Sequence, residues 1–297
     1  MFKHLLSFFV VILFFGGCSK NAMFPTDNKV YDSPLNYAYS YEEFYFKSSN
    51  ESLLKGWWFK AKGPSQGMVV VANGMKYNMS SRFQEWTWLL EKGFDLFIFD
   101  YRGYGESMGE VDMFGFVDDV ASAIAYAHSL NEDLSMVVVG QSMGGSFVVD
   151  AVAKKSYPYV KLLVIDSTMT GFAAAAEALM EQYVLLWPLM WIPSTITPEG
   201  VDSIDFVDKT ETPTLFMVGL NDSIIPPEHS AELFVKAKEP KALWVVEEAE
   251  HVNSIHHEQV KADLALVIEE ALKGQSSFVC DTRYYENNMS IPLESVR

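Results

Sequence analysis

The chain has 297 residues, 49% of them hydrophobic and 21% charged, with a formal net charge of −17. That composition excludes a disordered protein and fits one large domain, with or without an insertion. An acidic chain of this kind does not bind nucleic acid through its general field, because neutralising phosphates takes Lys and Arg. Anionic lipid head groups also repel it, so any hold on a membrane must be hydrophobic.

The first residues offer such a hold. Lys3 and His4 precede an apolar run from Leu5 to Phe15 that only Ser7 interrupts, and Gly16-Gly17-Cys18 follows. The run is short of the about 20 residues that span a bilayer. A basic start, a short apolar stretch and small residues before a cut site describe a secretory signal over 1–17. Gly16-Gly17-Cys18 resembles the lipobox of bacterial lipoproteins, although Phe15 stands where Leu is usual. The resemblance implies that Cys18 carries the lipid and that the protein sits in the cell envelope. Ser19, in place of Asp, points to the periplasmic side of the outer membrane rather than to the inner one. The other cysteine is Cys280, so no disulfide framework is expected. Cys280 reads as a bystander thiol.

Residues 18–37 read as a tether, and 38–273 as the folded domain. Tyr41 to Lys47 and Leu53 to Lys60 alternate aromatic and polar residues around a polar turn, as two paired strands do. Beyond residue 67 the pattern changes to short, fully apolar runs separated by helical stretches. The runs are 68–72, 96–99, 136–139, 162–165, 214–218 and 242–246. Helices are predicted over 81–92, 115–130, 144–155 and 259–272, with another after Asp222. Runs apolar on both faces predict a mostly parallel sheet covered by helices on both sides, an α/β fold. The alternation stops after Asp166 and resumes at Thr214, so about 167–208 is an insertion. Residues 274–297 form a tail with no legible role, and oligomeric state leaves no signal.

Chemistry gathers where parallel strands end. Val137-Val138-Val139 runs into Gly140-Gln141-Ser142-Met143-Gly144, a strand-to-helix turn of the Gly-x-Ser-x-Gly type. Its small residues permit a sharp bend that lifts the serine hydroxyl beside a helix N-terminus, where a developing oxyanion is favoured. Ser142 is therefore the candidate nucleophile, and it needs a base and an orienting acid. His251 directly follows the final apolar run, whereas His128, His229, His256 and His257 are placed less well. Asp222 follows the run 214–218, and Asp166, one strand earlier, is an alternate acid.

These motifs, together with Asp100-Tyr101-Arg102-Gly103-Tyr104-Gly105-Glu106-Ser107, occur in the order found in α/β-hydrolases. The chain resembles the serine aminopeptidase-like and monoglyceride-lipase-like branch over about residues 40–272. The resemblance implies an α/β-hydrolase fold, a Ser142–His251–Asp222 triad and an oxyanion hole from the backbone N–H groups of Met75 and Met143. One departure is Asn73-Gly74, where the superfamily usually has His-Gly. Asn73 is expected to orient that loop through its side chain, unless 73–75 is only a turn. Arg102 reads as a loop-fixing residue.

The insertion is expected to form a lid. Trp187, Met190 and Trp191 are its candidate pocket residues, with plain lid packing as the alternative. Together these readings predict a serine hydrolase that cleaves an ester or thioester of an apolar acyl group, with a small-molecule or lipid-like substrate. No metal or organic cofactor is expected. An aminopeptidase of the same fold, with Glu177 or Glu181 holding the substrate amine, is one alternative. A non-catalytic lipid-anchored binding protein is another.

Overall fold

The computed structural model describes residues 24, 26–49, 51–197, 200–275, 282–286 and 289–292. The signal segment, Cys18 and Cys280 lie outside the described residues. The strands are β1 (Tyr41–Lys47), β2 (Leu53–Phe59), β3 (Met68–Ala72), β4 (Asp95–Phe99), β5 (Met136–Gln141) and β6 (Val160–Asp166). β7 (Thr214–Gly219), β8 (Lys241–Val246), β9 (Arg283–Glu286) and β10 (Met289–Pro292) follow. They form one sheet of order β1-β2-β4-β3-β5-β6-β7-β8-β9-β10. β3 to β9 pair parallel, while the edge pairs β1–β2, β2–β4 and β9–β10 are antiparallel.

Alternation along the parallel strands feeds two cores. Val70, Val138, Ile165 and Phe216 face one side, where Phe116 and Ile124 of α1 (Met113–Leu130) and Phe147 of α2 (Met143–Lys154) cover them. α3 (Phe172–Glu181) belongs to the insertion, and α4 (Pro227–Lys236) adds Leu233 to this same core. Val69, Val71, Val139, Val164 and Met217 face the other side, under Val260, Leu264 and Ile268 of α5 (Glu258–Leu272). Complete burial of β3, β4, β5 and β7 is why they read as unbroken apolar runs, while β8 is half-buried on alternate residues.

Three stretches differ from the sequence expectation. The helix predicted over 81–92 is a chain of short pieces: Met79–Arg82, a 3₁₀ turn at Phe83–Glu85, then Trp88–Glu91. Phe83, Trp86 and Leu89 are all buried, and their spacing of three suits a tighter winding than the α-helix. The described part of the stretch read as a tether, residues 24 and 26–37, packs against the domain. Phe24 is buried against Phe116, and Asn78 Nδ2 donates to the carbonyls of Asp27 (2.9 Å) and Lys29 (2.8 Å). The tail contributes β9, which pairs with β8. Tyr285 is fully buried there, its ring 5.5 Å from Trp244 and its hydroxyl donating to Asp263 at 3.0 Å.

Arg102 does fix a loop. Its Nε and Nη2 fork onto the Asp119 carboxylate at 2.7–3.1 Å, its backbone N–H donates to the same group at 2.9 Å, and Nη2 also reaches Ser48 Oγ at 3.0 Å. Both charges are buried. The next turn of that loop is equally tight. Asp100 accepts the Met79 N–H, and its carboxyl is pushed up to about 7 by burial.

Candidate active site

Strand order sets the position of the site. From β3 the chain goes outward to β4, then returns across β3 to build β5, β6 and β7. The order therefore reverses between β3 and β5, and a crevice opens at their carboxyl ends. Ser142 stands in it, between the last residue of β5 and the first of α2. Its backbone has φ 53° and ψ −124°, a left-handed conformation costly for a residue with a Cβ. The turn is clamped from β6: the Ser142 N–H donates to the Asp166 carbonyl at 2.8 Å, and Thr168 Oγ1 donates to the Ser142 carbonyl at 3.0 Å. The glycines leave room for this crossing. A Cβ on Gly144 would lie 2.2 Å from the Ala72 carbonyl oxygen, and one on Gly140 would lie 2.5 Å from Gly145 Cα.

His251 comes from the loop beyond β8, and Asp222 from the loop beyond β7. His251 Nε2 is 2.8 Å from Ser142 Oγ, and Nδ1 is 2.7 Å from Asp222 Oδ2. The Asp222 side chain is fully buried, but Oδ1 accepts the N–H groups of Ile224 and Ile225, each at 2.9 Å. Those donors hold the carboxylate in place beside His251. A carboxylate only accepts, so Nδ1 carries the proton and Nε2 offers its lone pair to the serine hydroxyl. Val252 adds a second clamp: at φ 52°, its N–H donates to Ser167 Oγ at 3.3 Å.

His128, His229 and His257 pack elsewhere, and His256 is exposed. His229 Nδ1 lies 2.8 Å from Thr170 Oγ1, and burial lowers its pKa. His128 stacks on Tyr159 with 3.6 Å between centroids, and His257 sits edge-on to Tyr285. Asp166 contacts Gln141 and Ser167 rather than His251, and burial pushes its carboxyl up to about 6.

Met75 and Met143 both border the cavity above Ser142. Met143 opens α2, so its N–H has no acceptor within the helix. The loop before Met75 runs against the serine: a Cβ on Gly74 would lie 3.0 Å from Ser142 Cβ. Asn73 does not orient the loop as expected. Its side-chain Nδ2 and Oδ1 are buried and have no hydrogen-bond partner among the described residues. The loop is held instead by its backbone, since Tyr101 Oη donates to the Asn73 carbonyl at 3.1 Å.

The cavity has a volume of about 550 Å³, within the range of small-molecule sites. Met169, Phe172, Leu179, Met180, Ile224 and Ile225 make its wall apolar. The pocket expectation within the insertion is corrected here. Trp187 and Trp191 are 57% and 63% exposed and do not line the cavity. Met190 packs instead on Met180 and Leu186. Trp187 Nε1 donates to the Glu181 carbonyl at 3.1 Å, which ties it to the far end of α3. Glu177 and Glu181 also lie outside the lining; the carboxylate that borders the cavity is Glu250. Sequence reasoning missed Phe24, Lys76, Tyr77 and Arg82, which border it too. Among the described residues no group of His, Cys, Asp and Glu is arranged to hold a metal ion.

Solved structures share this arrangement of sheet and helices. An esterase of Pyrococcus furiosus, Pf2001, superposes with a TM-score of 0.67 at 18% identity, covering 85% of this chain and 98% of that one. The chain has the α/β-hydrolase fold. An esterase of Exiguobacterium antarcticum with this fold superposes at a TM-score of 0.58 and 16% identity, over 76% of this chain and 98% of that one. Residues 63–207 match the family model described as serine aminopeptidase, S33, a span that holds the Gly140–Gly144 turn and most of the insertion. Among curated proteins, uncharacterized protein YfhR of Escherichia coli K12 is 28% identical over 243 residues, 79% of this chain and 80% of the relative. An α/β-hydrolase domain-containing protein of Arabidopsis thaliana, WAV2, is 27% identical over 222 residues, 69% of this chain and 70% of that one.

Proposed function

We propose that the protein is a serine hydrolase that cleaves a carboxylic ester or thioester through an acyl-enzyme. The family match and the esterase neighbours support a hydrolase. The observation that carries the finer reading is the hydrogen-bonded chain Asp222–His251–Ser142 on the floor of an apolar cavity. Ser142 Oγ attacks the carbonyl carbon while His251 Nε2 takes its proton. The carbonyl oxygen becomes an oxyanion facing the N–H groups of Met75 and Met143. The imidazolium, stabilised by Asp222, returns the proton to the departing alcohol or thiol. Water then attacks the acyl-serine, with His251 again as base, and releases the acid. The peptidase alternative is weaker, because the lid carboxylates that would hold a substrate amine do not border the cavity.

A fluorophosphonate probe tests the mechanism. The folded wild-type protein is expected to be labelled, and Ser142→Ala to stay unlabelled. Equal labelling of both proteins would remove Ser142 from the mechanism, and a folded wild type that takes no label would favour the binding-protein reading.

We also propose that Cys18 carries a lipid and that the hydrolase works at the surface of a bacterial envelope membrane. Among the described residues no helix is long and apolar enough to cross a bilayer, so the anchor rests on Gly16-Gly17-Cys18. Expressed in a bacterium fed an alkynyl palmitate analogue, the full chain should incorporate the label and fractionate with membranes. Cys18→Ala should do neither, and undiminished labelling of that variant would refute the anchor.

A further inference from the structure

The cavity is not apolar on every side. Lys76 and Arg82 both border it, with Tyr77 between them. Lys76 Nζ lies 5.5 Å and Arg82 Cζ 5.6 Å from the centroid of the Tyr77 ring, and that ring is braced edge-on by Tyr31 at 5.3 Å. Arg82 commits Nη1 to Glu85 at 2.7 Å, which leaves the rest of its guanidinium fork. Lys76 makes no ion pair with a carboxylate among the described residues.

Two further features make this grouping informative. The chain carries 39 acidic residues against 22 Lys and Arg, so two cations gathered at one cavity run against its general field. Lys76 also occupies φ 108°, a backbone conformation that favours glycine. A lysine held there at a cost in strain, beside a reacting centre, points to a use for its charge.

Topology separates the cations from the apolar wall. β3 flanks β5 on one side and β6 flanks it on the other. The segment from Met75 to Arg82 follows β3, whereas Met169 and α3, with Phe172, Leu179 and Met180, follow β6. Ser142 follows β5 and stands between the two. The two cations and the apolar lid therefore approach Ser142 from strands on opposite sides of β5.

We infer that the substrate is an ester or thioester with an apolar group on one arm and an anionic group, a carboxylate or a phosphate, on the other. This rests on the esterase reading above and names the substrate class of the same site. The anion would complete the pairing of Lys76 and use the free donors of Arg82, whose planar fork suits either oxyanion. Glu250, beside His251, is the one acidic side chain among the described residues bordering the cavity, and it disfavours an anion at that corner.

Two matched pairs of substrates test the inference on the purified chain. Hexanoyl esters of glycerol and of glycerol phosphate place the charge on the alcohol arm. p-Nitrophenyl hexanoate and the p-nitrophenyl monoester of adipate place it on the acyl arm. In one pair kcat/KM is expected to favour the anionic member by about tenfold at low ionic strength, and the preference should shrink as salt screens the charges. The responding pair identifies the arm and the anion. Lys76→Gln should lower the anionic-to-neutral ratio several-fold and Lys76→Glu should invert it. Both variants change an exposed side chain, and their melting temperatures serve as the folding control. A wild-type ratio at or below one in both pairs, with neutral esters turned over, overturns the inference and leaves the esterase reading standing. So does a ratio that neither Lys76 variant moves. If no ester is hydrolysed and the fluorophosphonate does not label, the esterase reading itself fails and the inference goes with it.

Discussion

Asp222→Asn should lower kcat on an activated ester by roughly 10⁴-fold while the protein stays folded. An asparagine keeps an oxygen for the N–H groups of Ile224 and Ile225, so the loop after β7 retains its anchor. What changes is the group facing His251 Nδ1, where an amide N–H now meets the ring across 2.7 Å. The imidazole must then accept at Nδ1 and carry its proton on Nε2, pointing at Ser142. A base already protonated on that nitrogen cannot take the serine's proton. His251→Ala and Ser142→Ala should each cost as much or more, about 10⁴- to 10⁶-fold, and the double variant little beyond either single one, because the groups act as a unit. Stopped assays with p-nitrophenyl esters, with thermal melts to verify folding, measure this. Ser142→Ala should melt close to the wild type, since Ser142 makes no side-chain cap to α2. Full activity in Asp222→Asn would instead point to Asp166, the buried carboxyl at the neighbouring strand end.

Much of this site was legible because its signals are local. Val137-Val138-Val139 followed by Gly140-x-Ser142-x-Gly144 encodes a buried strand, a sharp turn and a helix in one stretch. His251 and Asp222 were readable by position, since each directly follows an apolar run that became β8 or β7. What stayed hidden depends on contacts between distant segments. Trp187 and Trp191 look like pocket residues in a list of apolar side chains. Pro188 and Pro193 cut the insertion into short turns, and those turns face both rings to solvent. Conversely, Phe24 lies before the domain in sequence and still borders the cavity. The tail gave no sign of joining the sheet, because β9 has four residues and its partner β8 lies well upstream. Nothing in the sequence singles out Lys76 and Arg82. Their common placement comes from the short helical turns after β3, where the sequence predicts a single longer helix from Ser81.

The largest effect on stability is expected at a pair remote from Ser142. Arg102→Ala should destabilise the fold by about 3–5 kcal/mol, because it strands the Asp119 carboxylate in the core without its partner. Asp119→Ala should cost a similar amount by stranding the guanidinium. Arg102→Lys does not rescue it, since one ammonium cannot replace the Nε and Nη2 fork on Asp119 together with the contact to Ser48. The site is also shaped around the larger group: Gly115 has no side chain where a Cβ would come within 2.1 Å of Arg102 Nη1. Urea denaturation of the three variants gives the values. A loss under 1 kcal/mol in Arg102→Ala would mean that water reaches Asp119. The damage should extend to catalysis in the surviving folded fraction, because Arg102 directly follows Tyr101. The Tyr101 hydroxyl holds the Asn73 carbonyl, and Asn73 sits two residues before Met75, the proposed oxyanion donor. The folded fraction of Arg102→Ala should therefore react more slowly with a fluorophosphonate than the wild type, although Arg102 touches neither the probe nor Ser142. The buried ion pair thus links the core between β4 and α1 to the placement of the Met75 backbone N–H beside Ser142.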